Sequence, residues 1–331
     1  MIGRRLFLRT TVVGTAATLG TRRAAMASDA PPETTRIRLY KFPGICLAPQ
    51  YVAEELLRAE GFTEIQYVES TGPAAAYDTM SNGAVDVTQW YGVPFIVEID
   101  KGNPVVILAG VHIGCQQIVA HERVRTLRDL KGRTIAVVLT SPATTILITM
   151  LTYIGLDYRK DVQLVDLPPA EAIRRLAEGK VDALAATPPI VQELHAKKIG
   201  RPLVDMGVDR PWSQYFCCML MGNRDFVKKY PVATKRALRA ILKADQICAN
   251  EPERVARAIV DRGFTKNYDY ALQTLKDVPY GKWRQYDPED MVRFYSLRLR
   301  EAGLIKASPQ KILADGTDWR FLNELKKELK G

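Results

Sequence analysis

The chain has 331 residues, room for roughly two domains of ordinary size, and its 47% hydrophobic and 25% charged content is that of a soluble globular protein. Its formal net charge is +10, but five arginines and no acidic residue fall in the first 27 positions, which leaves +5 for the remainder. A mildly basic chain with well-mixed charges gives no support to nucleic-acid binding.

Residues 1–27 have the pattern of a twin-arginine signal peptide. Arg4 and Arg5 open it, a weakly apolar run follows, and Ala25-Met26-Ala27 is a small-residue cleavage site. The run is too short to span a membrane, and no later segment has the apolar length of a transmembrane helix. We therefore expect a soluble protein that begins near Ser28, uses the twin-arginine translocase and resides in the periplasm without a lipid anchor.

From residue 36 the sequence alternates between strand and helix patterns. The predicted strands are 37–40, 65–68, 85–89 and 105–111, and the predicted helices are 48–60, one that opens at 70–73 and ends at 82–83, and 93–100. This rhythm predicts a mostly parallel sheet with helices on both faces.

The stretch 129–151 predicts a turn, a buried strand at 134–139 and an apolar helix. Ser141 stands at the N-cap position and Pro142 at the first helical position. The first backbone N–H groups of a helix lack partners within it, and three hydroxyls surround them here: Ser141, Thr144 and Thr145. The pattern fits either an anion-binding helix start or an ordinary one.

An internal repeat relates two parts of the chain at a constant offset of 96 residues. Residues 73–86 (PAAAYDTMSNGAVD) match residues 169–182 (PAEAIRRLAEGKVD) at this offset. Beyond the matched segment, one position out of register, the residues around Pro94 are echoed at Pro189. Ligands of open α/β sheets lie outside the carboxyl ends of the strands. Two facing lobes of one architecture would therefore place their loops around one cleft.

After residue 206 the pattern changes to one further strand and then long helices. Residues 212–215 lead into a compact strand at 216–221, which we expect to return to the first lobe. Basic residues such as Lys235 and Arg236 are expected on solvated helix faces. The predicted helices are 232–249, 253–262, 269–276, 288–302 and 318–330.

Cysteine and histidine spacing gives no metal or redox motif. The five cysteines (Cys46, Cys115, Cys217, Cys218 and Cys248) show no ligand-spaced pair, and most of them are expected to be small core residues. The three histidines have no partner at ligand spacing, so no metal site and no cofactor are expected. The usual catalytic fingerprints are absent, which argues against an enzyme.

Several motifs together resemble the substrate-binding proteins of ABC importers of the nitrate/sulfonate/taurine type. They are APQYVAEELLRAEGF, GAVDVTQW, DLKGRTIAV, TSPATT, LPPAEAIRRLAEGKVDALAATPP and GNRDFVKKYPVATKRAL. The resemblance implies a type II periplasmic-binding-protein fold, with two doubly wound α/β lobes joined by two crossing segments and followed by C-terminal helices. It places lobe I at 36–117 and 213–331 and lobe II at 118–212. It also implies a monomer that delivers a small molecule to an ABC permease and its ATPase.

The same resemblance carries the ligand shell of the family onto the loops that follow the strands. Many relatives have a histidine at the second-lobe helix start, which this chain lacks, so that the cradle there is neutral. We expect a small organic anion, sulfonate- or carboxylate-like, with an apolar body against an aromatic wall. The candidate ligand-binding residues are Pro43, Gly44, Ile45, Thr71, Gly72, Trp90, Tyr91, Ser141, Thr144, Thr145, Thr187, Pro188 and Tyr215.

Three alternatives remain open from the sequence. The run Phe216-Cys217-Cys218-Met219 resembles part of the cysteine-rich run of fungal hydroxymethylpyrimidine phosphate synthases, which implies either an enzyme of that kind or a pyrimidine or thiamine-precursor ligand. Only two of that run's cysteines appear, and an exported chain does not suit a cytosolic biosynthetic enzyme. A sensory binding module that serves a receptor would share the same fold and cleft.

Overall fold

The computed structural model describes residues 30–69 and 75–329. The signal-peptide prediction and the candidates Thr71 and Gly72 lie outside these ranges. The strands are β1 (Arg36–Lys41), β2 (Glu64–Glu69), β3 (Val87–Tyr91), β4 (Val105–Ile113), β5 (Gln117–Ala120), β6 (Thr134–Val137), β7 (Gln163–Asp166), β8 (Ala183–Ala186), β9 (Arg201–Asp205) and β10 (Phe216–Asn223).

The helices of the first two thirds of the chain mostly connect these strands. They are α1 (Ala48–Val52), α2 (Glu54–Ala59), α3 (Ala75–Ser81), α4 (Gly92–Asp100), α5 (Pro142–Tyr153), α6 (Pro169–Ala177) and α7 (Ile190–Ala196). The later helices are α8 (Arg224–Lys229), α9 (Pro231–Asn250), α10 (Pro252–Asp261), α11 (Tyr268–Asp277), α12 (Pro288–Glu301), α13 (Pro309–Gly316) and α14 (Arg320–Glu328). No helix among the described residues has the length and apolar character needed to cross a membrane.

The strands form two groups of sheets. The first group consists of the pair β1-β2 and the three-stranded sheet β3-β10-β4, and the second is the five-stranded sheet β7-β6-β8-β5-β9. Strand β10 pairs with β3 and β4, as the prediction of a returning strand requires. The chain therefore passes from the first group to the second before β5 and returns before β10.

Strand direction corrects the prediction of a mostly parallel sheet. Parallel pairing joins β1 to β2 and β6 to β7 and β8, whereas β5 runs antiparallel to β8 and β9, and β10 runs antiparallel to β3 and β4. Among the described strands, antiparallel pairing thus always involves β5 or β10. Both strands arrive from the other sheet group rather than through a helical crossover, so the rule that crossovers give parallel neighbours does not apply to them.

The internal repeat is confirmed by matching hydrogen bonds in the two sheet groups. Asp86 Oδ2 accepts a bond of 2.8 Å from the Arg38 N–H of β1, and its own N–H donates to Arg38 O at 2.9 Å. Asp182 makes the same reciprocal pair with Thr134 of β6, at 2.9 and 2.8 Å. The two aspartates at the repeat offset therefore fasten equivalent strand pairs.

The C-terminal helices correct the prediction that their basic residues are solvated. Helix α9 packs against α1, α2 and α14, and Lys235 is only 9% exposed. Its Nζ lies 2.8 Å from Glu324 Oε2, and Arg239 donates to both Glu60 and Glu328. These ion pairs join helices that are distant in the sequence, so the alkyl stems pack while the charges are neutralised.

Several predicted boundaries also change. The predicted helix 48–60 is divided at Ala53, and the strand predicted at 134–139 ends at Val137 because Ser141 N–H bonds to Val138 O and turns the chain. Leu139, assigned to that buried strand, is 55% exposed. The predicted elements do not include β5, β7, β9, α8 or α13, whose short segments carry too little periodicity to stand out.

Candidate functional site

A cavity of about 500 Å³ lies at the carboxyl ends of strands from both sheet groups. The first group contributes the loop after β1 and the end of β3, and the second contributes the loops after β6 and β8. This is the position expected for a ligand in open α/β sheets, and the volume suits a small organic molecule. Its lining residues are Phe42, Pro43, Gly44, Cys46, Leu47, Trp90, Tyr91, Val138, Ser141, Pro142, Pro169, Thr187, Pro188, Pro189, Ile190 and Glu193.

Seven of the candidate residues share this wall: Pro43, Gly44, Trp90, Tyr91, Ser141, Thr187 and Pro188. The structure places four others elsewhere. Ile45 is fully buried in the core, and Tyr215 stacks on Phe294 at 4.2 Å beside a different depression. Thr144 and Thr145 lie in the first turns of α5 but not on the cavity wall.

The aromatic part of the wall is held by its neighbours. The Trp90 ring meets Tyr40, Phe42 and Tyr91 edge to face, with centroids 5.2, 5.3 and 5.6 Å apart. Its Nε1–H donates to the Tyr77 hydroxyl at 3.4 Å, and the residue is only 1% exposed. These contacts hold the Trp90 ring in one orientation, so this part of the wall is in place before any ligand arrives.

The helix start at Ser141 is capped, as the sequence predicts. The cap uses backbone N–H groups that an anion bound at this helix start would need as hydrogen-bond donors. Ser141 Oγ accepts from Ala143 N–H at 3.2 Å, and Ser141 O accepts from Thr144 N–H at 3.1 Å. The Thr144 hydroxyl donates to Val138 O at 2.7 Å. The Ser141 hydroxyl still has its own proton to donate toward the cavity.

The charge on the wall is negative. Glu193 of α7 is the charged side chain among the lining residues, and its Oε1 lies 2.5 Å from Lys197 Nζ, one turn along the helix. Thr187 supplies a second hydroxyl after β8. The lining thus offers an apolar body site and a few hydroxyl groups at one side.

Sequence reasoning misses part of this wall. Phe42 and Leu47 belong to the same apolar loop as Pro43, and loop composition could have included them. Glu193 lies within α7, one turn beyond Pro189, and only the position of the helix brings it to the cavity. Its location depends on tertiary packing and has no local signal.

Behind the aromatic wall, four cysteines from three distant segments converge. The Sγ atoms of Cys46, Cys115 and Cys218 all lie within 4.8 Å of one another, and Cys115 Sγ lies 3.0 Å from Cys217 Sγ. All five cysteines are free thiols, and the fifth, Cys248, is buried outside this cluster. The sequence prediction of separate core residues with no ligand spacing misses the thiol cluster because its members meet only in the folded chain.

The surroundings of the thiol cluster are polar and ordered. Tyr91 Oη lies 3.2 Å from Cys46 Sγ, Gln89 Nε2 donates to Cys46 O at 2.8 Å, and His112 Nε2 lies 3.1 Å from the same carbonyl. Burial lowers the pKa of His112 and so favours its neutral ring. Cys46 belongs to the cavity wall as well, so the cluster adjoins the cavity.

Burial and mutual hydrogen bonding set the thiol pKa values in opposite directions. Burial, reinforced by the hydrogen bond with Cys217, raises the pKa of Cys115 to about 11. Burial also favours the neutral thiol of Cys217, but hydrogen bonds with Cys115 and Cys218 outweigh it and lower the pKa of Cys217 to about 6. The cluster therefore holds thiols of unequal acidity in direct contact.

Many solved structures share the fold of this chain, including the following two. The alkanesulfonate-binding protein SsuA from Xanthomonas axonopodis pv. citri, bound to MOPS, has a TM-score of 0.67 at 18% identity, over 83% of this chain and 96% of its own. The periplasmic nitrate-binding protein NrtA from Synechocystis PCC 6803 has a TM-score of 0.70 at 16% identity, over 91% and 90%. The predicted periplasmic-binding-protein fold is thereby confirmed.

The curated relatives match this chain over a shorter segment than the solved structures do. The bicarbonate-binding protein CmpA of Synechococcus elongatus is 27% identical over 109 residues, which cover 33% of this chain and 24% of CmpA. The chain thus spans about a quarter of the length of the curated relatives it matches. The family model described as NMT1-like matches residues 30–260, well over half of the sequence, and the chain therefore belongs to the NMT1-like family.

Proposed function

We propose that this chain is an extracytoplasmic solute-binding protein that captures a small organic molecule and delivers it to an ABC permease driven by its ATPase. The observation that carries the proposal is the cavity of about 500 Å³ whose wall is shared by loops of both sheet groups. Related proteins are named for binding alkanesulfonate, nitrate and bicarbonate, which supports a transported solute rather than a reacting substrate.

The proposed lobes are 36–117 with 213–331, and 118–212. The five-stranded sheet begins at Gln117 and ends at Asp205, which supports these limits. The lobes would hinge at 114–119 and 211–215. Gly114 supports that location: its φ is +73°, and a Cβ there would lie 2.9 Å from Gly207 Cα, so two glycines allow close backbone packing beside the crossings.

The preferred ligand is an organic molecule with one sulfonate- or carboxylate-like end and an apolar body. The body would lie against Trp90 and Tyr91, and the polar end would accept bonds from the Ser141 and Thr187 hydroxyls. Hydroxyl donors suit a ligand that carries a single delocalised negative charge. A dianionic ligand usually requires Arg or Lys. Inorganic nitrate would leave the aromatic wall without a partner.

A neutral nitrogen heterocycle, such as a pyrimidine-type thiamine precursor, is the second candidate. Two observations favour it: the capped helix start retains few free donors, and Glu193 adds an acceptor to the wall. A pyrimidine ring would stack on the aromatic wall and donate to that carboxylate. The hydroxymethylpyrimidine-synthase and receptor alternatives would use the same cavity but change the ligand or the partner.

We also propose that the protein is exported to the periplasm. The periplasmic location of the related nitrate-binding protein and the twin-arginine pattern at Arg4 and Arg5 both support a periplasmic protein exported in folded form. We propose that the mature protein acts as a monomer, with no nucleic-acid partner.

Ligand identity is tested by a thermal-shift screen of sulfonates, carboxylates, pyrimidines and nitrate, followed by calorimetric titration of the best compound. Ser141→Ala should weaken an anionic ligand by about tenfold or more, the value of one charge-assisted hydrogen bond. Thr145→Ala removes a hydroxyl away from the wall and is the matched control. Affinity rather than melting temperature is compared, because loss of the Ser141 cap alone costs about 0.5–2 kcal/mol.

Glu193→Gln separates the two ligand classes. It should tighten binding of an anion, since a negative charge leaves the wall, and weaken a heterocycle that donates to the carboxylate. Mass spectrometry of the ligand after prolonged incubation tests capture against catalysis. A chemically altered ligand would refute the transport role.

A further inference from the structure

The thiol cluster defined above is assigned no role by the proposed function. Cys46 and Cys218 are at most 1% exposed, Cys115 is partly buried, and Cys217 is fully buried. Single buried cysteines are ordinary core residues, but four of the five in this chain meet at one point. Their Sγ separations, within 4.8 Å for three and 3.0 Å for Cys115 and Cys217, are those of groups that face each other.

The backbone that presents the cluster is strained. Cys115 has a φ of +87°, in the left-handed region that non-glycine residues rarely adopt. The residue lies between β4 and β5, where the chain passes from the first sheet group to the second. In this conformation the thiol of the crossing segment lies next to thiols from the loop after β1 and from β10.

We propose that Cys46, Cys115 and Cys218 bind one soft, thiophilic metal ion, with Cu(I) as the ion that fits best. Thiolate sulfur selects Cu(I), zinc and iron–sulfur centres among biological metals. Three mutually close sulfurs form a trigonal set, which Cu(I) accepts. A structural zinc site requires four ligands arranged tetrahedrally at about 2.3 Å.

The fourth thiol is placed differently from a tetrahedral ligand. Tetrahedral sulfurs at that bond length lie about 3.8 Å apart, whereas Cys217 Sγ is 3.0 Å from Cys115 Sγ. Cys217 is therefore assigned as a hydrogen-bonding neighbour of the ligand Cys115. As each metal–sulfur bond forms, the coordinating thiol loses its proton to solvent, and the oxidation state of copper does not change.

The side chains that surround the thiol cluster suit a metal-binding site. The Tyr91 hydroxyl contacts Cys46 Sγ, and Gln89 and His112 hold the Cys46 carbonyl. Partners of this kind orient ligands and tune metal affinity. Cys46 also lines the cavity, which provides a route for the ion to enter. The inference rests on these contacts alone and does not depend on which solute the cavity binds.

The test is anaerobic titration of the reduced, metal-free protein with Cu(I) in competition with a chromophoric Cu(I) chelator, and in parallel with Zn(II). We expect one Cu(I) per chain and sulfur-only coordination by X-ray absorption. Cys46→Ser, Cys115→Ser and Cys218→Ser should each lower the affinity by at least about 100-fold, more than the loss of a typical outer partner. Cys248→Ser, which changes the buried cysteine outside the cluster, should bind as the wild type does.

Three metal-binding results would overturn the assignment. They are release of all Cu(I) to the chelator by the wild type, tighter and stoichiometric binding of Zn(II), and equal affinity of the cluster variants and Cys248→Ser. Recovery of a Cys115–Cys217 disulfide with no metal uptake after reduction would likewise replace the metal site with a redox pair. Because X-ray absorption of the wild type reports the coordinating atoms directly, a variant that fails to fold leaves the proposal testable. Solute titration of the same samples keeps this outcome separate from that of the proposed function.

Discussion

Asp245 in helix α9 should make the stability of the protein fall as pH rises. Its side chain is fully buried, Oδ2 accepts a 2.7 Å hydrogen bond from Gly281 N–H, and Oδ1 has no hydrogen-bond partner among the described residues. Burial raises the pKa of this carboxyl well above its usual value, and the Gly281 bond only partly opposes the effect. The folded state therefore binds a proton that the unfolded state releases near pH 4.

The sign and size of the effect follow from linkage. A raised native pKa adds stability that is complete below the unfolded pKa and is lost as pH rises toward the native value. The loss amounts to about 1.4 kcal/mol per pH unit across that window. Asp245→Asn removes the titration and can keep the Gly281 bond through its amide oxygen, so the variant should equal the wild type near pH 4 and exceed it increasingly at higher pH.

Denaturant unfolding of both proteins from pH 4 to pH 8 measures this difference. Asp261→Asn, at an exposed position near the end of α10, is the matched control and should run parallel to the wild type. A constant difference between Asp245→Asn and the wild type over the whole range would show that Asp245 is ionised in the folded protein. The reasoning from burial would then be refuted.

Three further predictions test the packing and the proposed motion. Gly110→Ala should destabilise the protein by about 1–3 kcal/mol, because the new Cβ would lie 2.3 Å from the buried Phe216 ring; an unchanged denaturation midpoint would contradict the packing of β4 on β10. Glu60→Gln should cost about 3 kcal/mol, because it removes the carboxylate to which Arg239 donates two hydrogen bonds on a mostly buried face, and the loss should appear in thermal unfolding at low and high salt alike. Small-angle scattering with saturating solute should give a smaller radius of gyration than without it, and equal radii would argue against hinge closure.

The repeat shows what the sequence can predict about this fold. Asp86 and Asp182 stand at the same offset as their flanking motifs, and each makes the same reciprocal bonds to the strand beside it. Each of these bonds joins residues 48 positions apart, and both copies of the motif make it, so the match in sequence between the two copies also predicts a match in hydrogen-bond geometry. The directions of β5 and β10 depend on where the chain crosses between sheet groups, which no local pattern encodes.

The helix start at Ser141 shows why the candidate site was only partly predictable. The N-cap was predicted from local chemistry and is present. Satisfying the cap, however, uses the Ala143 N–H, and the Thr144 hydroxyl turns to Val138 O, so part of the expected cradle is consumed by the helix itself. By contrast, Glu193 and the thiol cluster could not be predicted from local sequence, because their positions depend on contacts between segments distant in the sequence.

The cavity and the thiol cluster share Cys46, and Tyr91 of the cavity wall contacts it, which has a thermodynamic consequence. Cys46 lines the cavity and belongs to the cluster, while Tyr91 lines the cavity and contacts Cys46 Sγ. An ion that orders Cys46 would also order this part of the wall, and a solute that presses on Tyr91 would act on the same sulfur. If the metal ion changes the affinity for the solute by some factor, the solute must change the affinity for the metal ion by the same factor. A solute affinity that differs between metal-free and metal-loaded protein would therefore measure the same coupling as a metal affinity that differs with solute.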